Sequence, residues 1–187
     1  GNPIPDGQIT PVDLTNIGDA IPDFIFGIAN NFSYKNFSLS FFFQGSVGND
    51  VINLNRYITD GLSSDVTSRN VRQEAYDNRW QGEGTTNTFP AICAGPLFDQ
   101  RPSDFWVVDG TFLRLRNITI GYKIPFQANK IIRSARLFVT GSNLLLWTNY
   151  TGYDPEASAR NVPTQAGVDF GVSAQPRVYS IGANLEF

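Results

Sequence analysis

The sequence has no histidine, no methionine and a single cysteine among its 187 residues. Without histidine, neither a Ser-His-Asp nor a Cys-His nucleophile can be assembled from this chain. Zinc sites built on His are excluded as well, and one Cys cannot make a four-cysteine site. Cys93 cannot form an internal disulfide, so the fold is not a disulfide scaffold, and Cys93 reads as a small buried apolar residue. With no Met, the expectation is a processed chain or a piece of a longer one. The opening "GNPIPDGQIT" has neither the basic start nor the apolar run of a signal peptide. No stretch approaches the roughly 20 apolar residues of a membrane-spanning helix. Charge is scarce: 17% of residues are charged and the net charge is −3. Such a balance argues against nucleic acid as a partner, since that surface needs a basic stripe.

Aromatic residues and turn formers are abundant. Fifteen Phe, 7 Tyr and 3 Trp are punctuated by 17 Gly and 11 Pro, a composition suited to short strands and turns, and hence to an all-β fold. Residues 1–23 are turn chemistry, and period-two alternation begins at "FIFGIANNFSY" (24–34). There Phe24, Phe26, Ile28, Phe32 and Tyr34 share a face, interrupted only by Asn30. A two-residue turn at Lys35–Asn36 leads into "FSLSFFFQGSV" (37–47). Phe37, Leu39, Phe41, Phe43 and Val47 fall on one side of that strand. Ser38, Ser40, Gln44 and Ser46 fall on the other, with Phe42 as its one large residue.

Further strands are expected at 111–124, 135–148 and 175–187. In the first, Ile118, Ile120, Tyr122 and Ile124 alternate with small polar residues, but Arg114 and Arg116 fall on the otherwise apolar face. The second has an irregularity around Gly141–Asn143 where the parity becomes unclear. The third ends on Tyr179, Ile181, Ala183, Leu185 and Phe187, all on one side. Between 48 and 110 the pattern predicts a short surface helix within 63–80, with Ser64 as its N-cap, and otherwise loop.

The five strands are joined by connections of 2, 63, 10 and 26 residues. Long connections thus gather at one end of a sheet and tight turns at the other. With apolar-out, polar-in alternation over 11–14 residues, this is the pattern of a transmembrane β-barrel with long extracellular loops. The alternative is a soluble β-sandwich ligand-binding module, whose apolar face would pack on a second sheet. Five strands cannot close, and open edges in lipid leave backbone groups unsatisfied, so the remaining strands must lie elsewhere.

Four blocks carry a family resemblance: "IPDFIFGIANNFSYKNFSLSFFFQGSVGNDVIN", "DGTFLRLRNITIGY", "GSNLLLWTNYTGYDPE" and "QPRVYSIGANLEF". In order and spacing they resemble the C-terminal barrel strands of SusC-like (RagA-like) TonB-dependent outer-membrane transporters. That resemblance implies an all-β, antiparallel segment of a barrel with about 22 strands. Residues 1–23 would be a loop leading into the barrel, and 24–187 would be barrel strands with extracellular loops 48–110 and 149–174.

The resemblance further implies import of oligosaccharides or peptides across the outer membrane of a Gram-negative bacterium. Its implied partners are the remaining barrel and plug of the same transporter, outer-membrane lipid, a SusD-like surface lipoprotein and the TonB complex, the last reached through an N-terminal part absent here. It implies no enzymatic activity and no cofactor. A calcium-like loop common upstream of the first of these strands has decayed here to "NPIPDGQITPVD". It keeps Asp6, Gly7, Ile9 and Asp13 but has Asn2 first and Ile4 third, so a plain turn is expected and no metal site.

On the long loops, flat rings that could stack on a sugar or anchor a partner are Tyr57, Trp80, Phe89, Trp106, Tyr150 and Tyr153. The carboxylates Asp50, Asp60, Asp65, Asp99, Asp104, Asp109, Asp154 and Glu156 show no acid/base pairing and are expected to be solvated or turn-forming. Tyr122 and Tyr179 suit an aromatic girdle. Tyr179, Ile181, Leu185 and Phe187 are expected to form a barrel-assembly signal on the terminal strand.

Overall fold

A computed structural model describes residues 14–60, 70–86, 88–91, 103–125, 132–156 and 166–187. The decayed loop over 2–13, Ser64 and Cys93 lie outside the described residues.

The two cleanest alternating runs are strands β1 (Phe24–Tyr34) and β2 (Phe37–Val47), with the bounds expected from the sequence. They form a hairpin closed at Lys35–Asn36, where Lys35 takes a positive φ of 51°. Pairing runs without a slip from Tyr34↔Phe37 to Phe24↔Val47. β5 (Phe112–Lys123), β6 (Ser134–Thr148) and β8 (Val178–Glu186) complete an antiparallel five-stranded sheet in the order β1-β2-β5-β6-β8. The last strand is shorter than its alternation suggested, because pairing begins only at Val178↔Ser142.

One face of this sheet is aromatic and aliphatic. Phe41 packs edge-on against Phe43, with ring centroids 5.5 Å apart, and Phe43 approaches Trp147 at 6.3 Å. At the short-turn end Phe37 and Tyr122 meet at 4.7 Å. Among the described residues no second sheet covers this face, as a sandwich would require. Ile181 (85% exposed), Tyr179 (72%), Phe187 (69%) and Leu185 (53%) continue it on β8.

The opposite face is largely small and polar, and three of its large groups lie over glycines of neighbouring strands. A Cβ added to Gly27 would sit 3.0 Å from the Phe42 ring, and one on Gly182 would sit 2.4 Å from that of Phe138. At Gly121 the Arg136 guanidinium occupies that place, donating to Ser38 Oγ at 2.8 Å.

Parity counting had put Arg114 and Arg116 on the apolar face, and a bulge corrects this. β2 pairs Phe42 with Asn117 and Phe43 with Leu115, leaving Arg116 as the extra residue. One inserted residue shifts the phase of all that precedes it. Arg114 therefore lies opposite Gln44 and Leu146, on the polar side, while Leu113 and Leu115 join the apolar side. β6 matches the shift at the expected irregularity: Ser142 pairs with Asn117 and Leu145 with Leu115, and Asn143 between them takes a positive φ of 54°.

The region 48–110, expected to be loop apart from one helix, is more structured than that. β3 (Asp50–Asn53) runs into α1 (Leu54–Thr59), whose first turn is capped by the Asn53 side chain, accepting from Asn55 N at 3.1 Å and Arg56 N at 3.2 Å. The helix expected within 63–80 is a short one, α2 (Gln73–Asp77), with Arg72 at its N-cap. β4 (Val107–Asp109) follows a single 3-10 turn at Asp104–Trp106. β3 pairs antiparallel with β4 and parallel with β7 (Val168–Asp169), giving a small second sheet at the end of the long connections.

The two faces predict opposite responses to charge. With the aromatic face in hydrocarbon, as the resemblance implies, an arginine there costs about 2–4 kcal/mol at mid-membrane, whereas the other side tolerates it. Leu185→Arg, Ile181→Arg or deletion of Phe187 should lower assembled protein far more than Ser180→Arg or Asn184→Arg. Heat-modifiable barrel in outer-membrane fractions measures this, and equal losses on both faces would refute the assignment.

Candidate functional site

The described parts of the long connections form a layer at one end of the sheet, held by buried charges, of which Asp60 and Asp154 were expected to be solvated or turn-forming. Asp60, Asp154 and Asp169 are each at most 2% exposed. Asp60 closes α1 from below, accepting from Arg56 Nε at 3.0 Å and from Arg72 Nε at 2.6 Å and Nη2 at 3.1 Å. An isolated buried carboxylate would be costly, and these two guanidiniums offset that cost.

Asp154 receives Arg114 Nη2 at 2.5 Å, with both side chains almost wholly buried. Its second oxygen accepts from the Gln175 backbone at 3.1 Å. Glu156 pairs with Arg116 and lies 3.2 Å from Arg114 Nη2, and Arg116 Nε also donates to Gln44 Oε1 at 2.9 Å. The two arginines that seemed misplaced on β5 thus bind the connection that follows β6.

Asp169 accepts from Tyr150 Oη at 2.5 Å and from the backbone of Gly171 and Val172 at 3.0 Å each. Burial, then the hydrogen bond to Asp169, pushes the Tyr150 hydroxyl well above the usual tyrosine range. It therefore remains a protonated donor.

Of the six expected contact rings, Phe89, Trp106 and Tyr150 are buried within the layer. Tyr57 packs edge-on against Trp106 at 5.5 Å, Phe105 against Trp106 at 4.6 Å, and Phe89 against Phe105 at 5.9 Å. Trp106 Nε1 is buried without a partner among the described residues. Trp80 and Tyr153 are exposed, at 44% and 71%. Trp80 borders an open cleft of about 420 Å³ with Thr88, Phe89, Pro90 and Phe105. Phe170 is a further exposed ring that the sequence reading missed; its signal was "DFG", an Asp-capped turn ending in Gly171 at φ +77°. Nowhere among the described residues do three metal-ligating side chains gather.

No protein-family model matches the sequence. The chain is 34% identical over 188 residues to the TonB-dependent receptor P3 of Formosa agariphila, covering 97% of this chain and 18% of that protein. It is 26% identical to the TonB-dependent receptor SusC of Bacteroides thetaiotaomicron, covering 88% of this chain and 15% of SusC. In three dimensions it matches a chain of the RagAB peptide importer in the closed-closed state, with a TM-score of 0.77 and 28% identity over 96% of this chain and 19% of that one. The chain belongs to the SusC-like (RagA-like) TonB-dependent transporters and is part of their barrel. It spans less than a fifth of the length of the curated relatives it matches. In a closed barrel of this kind the apolar face of a strand is the outer one and the polar face the inner one. The arginine pair and the Asp154–Glu156 turn lie on the polar side of the sheet.

Removing only the Tyr150 hydroxyl leaves Asp169 short of one charge-assisted hydrogen bond. Tyr150→Phe should lower the free energy of local opening around 166–172 by about 1.5–3 kcal/mol. Amide hydrogen exchange of that segment measures the change. Because the folded hydroxyl titrates above an unfolded tyrosine's value of about 10, its contribution is complete below that pH and lost only as pH rises further. The difference between the two proteins should therefore be flat between pH 6 and pH 9.

Proposed function

We propose that the chain supplies the last five strands of an outer-membrane importer in a Gram-negative bacterium, energised by the TonB complex. Its cargo would be bulky nutrients, oligosaccharides or peptides, taken in with a SusD-like lipoprotein seated over the long-loop end. The rest of the barrel, and the plug that fills its lumen, would complete the transporter. The observation that carries this reading is the structured layer at one end of the sheet, with the two-residue turn Lys35–Asn36 at the other. Loops on a rigid scaffold are where binding is placed. Two exposed rings, Trp80 and Tyr153, and the aromatic-lined cleft beside Trp80 supply the flat apolar surface that such cargo or a lid would meet. Support also comes from the relatives: a SusC, and a RagAB complex described as a peptide importer. A transporter acts by binding and moving cargo, and no catalytic constellation is needed for that role.

Topology offers the direct test. An epitope placed near Gly82–Gly84, a turn open on all sides, should be reached by antibody or protease from outside intact cells. Access only after the periplasm is opened would invert the topology and remove the lid from this end. Uptake of labelled oligosaccharide or peptide that is lost without TonB would support the function itself, and uptake indifferent to TonB would refute it.

A further inference from the structure

We infer that Arg114, Arg116, Asp154 and Glu156 form a clamp that makes the described parts of the two long connections, around 48–60, 103–111, 149–156 and 166–177, a single body riveted to the polar face of the sheet. The inference goes beyond the import reading because it does not depend on the cargo.

The clamp starts from the bulge. Without the extra residue, Arg114 and Arg116 could not both reach the polar side of β5. With it, two cations face the two anions of a short turn, Asp154 and Glu156, and the four charges balance. Arg116 adds a bond to Gln44 on β2, so two wall strands hold the turn. From there the links continue outward. Asp154 holds Gln175, which joins the beginning of the β6–β8 connection to its end. Tyr150 holds Asp169 on β7. β7 pairs in parallel with β3 through Asn53↔Asp169, and Ile52 N donates to Gly167 O at 2.8 Å. Asn53 in turn caps α1, which Asp60 ties to Arg72.

The Arg114–Asp154 and Tyr150–Asp169 links are buried and β3 and β7 are backbone-paired, so loosening the first should be felt at the last. Removing one member of a buried ion pair leaves its partner charged and unpaired, which is far more disruptive than losing a surface contact.

Hydrogen exchange read by mass spectrometry on the detergent-solubilised, assembled transporter tests this. Asp154→Asn keeps an acceptor oxygen for the backbone but removes the charge. Exchange should quicken at least about tenfold in 150–156, and by a comparable factor in 50–60 and 166–172, while amides of the β1–β2 hairpin stay slow. Glu156→Gln, at the more exposed side of the quartet, should assemble normally and give the same pattern with a smaller factor, about threefold. Acceleration confined to 150–156 in either variant would overturn the inference, because the connections would then be separate bodies. Unchanged exchange in both variants would overturn it too, since the quartet would carry no constraint.

Discussion

A strand that faces hydrocarbon has no water to which its backbone can turn, so each N–H and C=O must find a partner on the next strand. The remainder of the molecule follows from how that requirement is met. β2, β5 and β6 are paired on both sides, and the register between them decides which side chain joins the apolar face and which the polar one. A slip of one residue would exchange the two sets entirely. The departure at Arg116 is matched on β6 by a second one at Asn143–Leu144, after which the ladder resumes with the faces still divided. β1 and β8 each keep one unpaired edge in this chain, and those edges are where the remaining strands of the barrel must attach.

The bulge also links wall and mouth. Bulges re-aim side chains and are common at barrel rims. Here the re-aimed side chains are two guanidiniums, and their partners come from the turn that follows β6. Two of the blocks that carried the family resemblance, "DGTFLRLRNITIGY" and "GSNLLLWTNYTGYDPE", therefore meet in space through Arg114 and Asp154. Loop and wall were separate in the sequence reading, but in the structure they share one charge cluster.

What was legible follows from the range of the interactions involved. β1 and β2 could be read to the residue because their alternation is broken only at Asn30 and Phe42 and their turn is only two residues long. β5 and β6 could be read as strands, but not in phase. Arg114 and Arg116 flagged an anomaly, yet counting by twos cannot say where an extra residue sits. The loop layer was largely illegible. α1 is six residues long and depends on the Asn53 cap, and the two residues of β7 exist only through pairing with a strand more than a hundred residues earlier. Asp60 and Asp154 were read as solvated because their partners, Arg72 and Arg114, are set beside them by the fold and not by spacing. Trp80 and Tyr153 lie at the surface, whereas Phe89, Trp106 and Tyr150 build the layer beneath it. No pattern in a single loop separates those two groups.

The glycines beneath Phe42, Phe138 and Arg136 bear on the relief of the polar face. Each large group lies down on a neighbouring strand where a side chain has been left out, instead of standing upright from the wall. The inner lining there is close to the thickness of the backbone itself. The two rings and the guanidinium therefore lie flat over the strands beside them. At these three positions the relief of the polar face is thus set by the backbone of one strand and the side chain of the next, so that enlarging any of the three glycines would lift a ring or a guanidinium off the sheet.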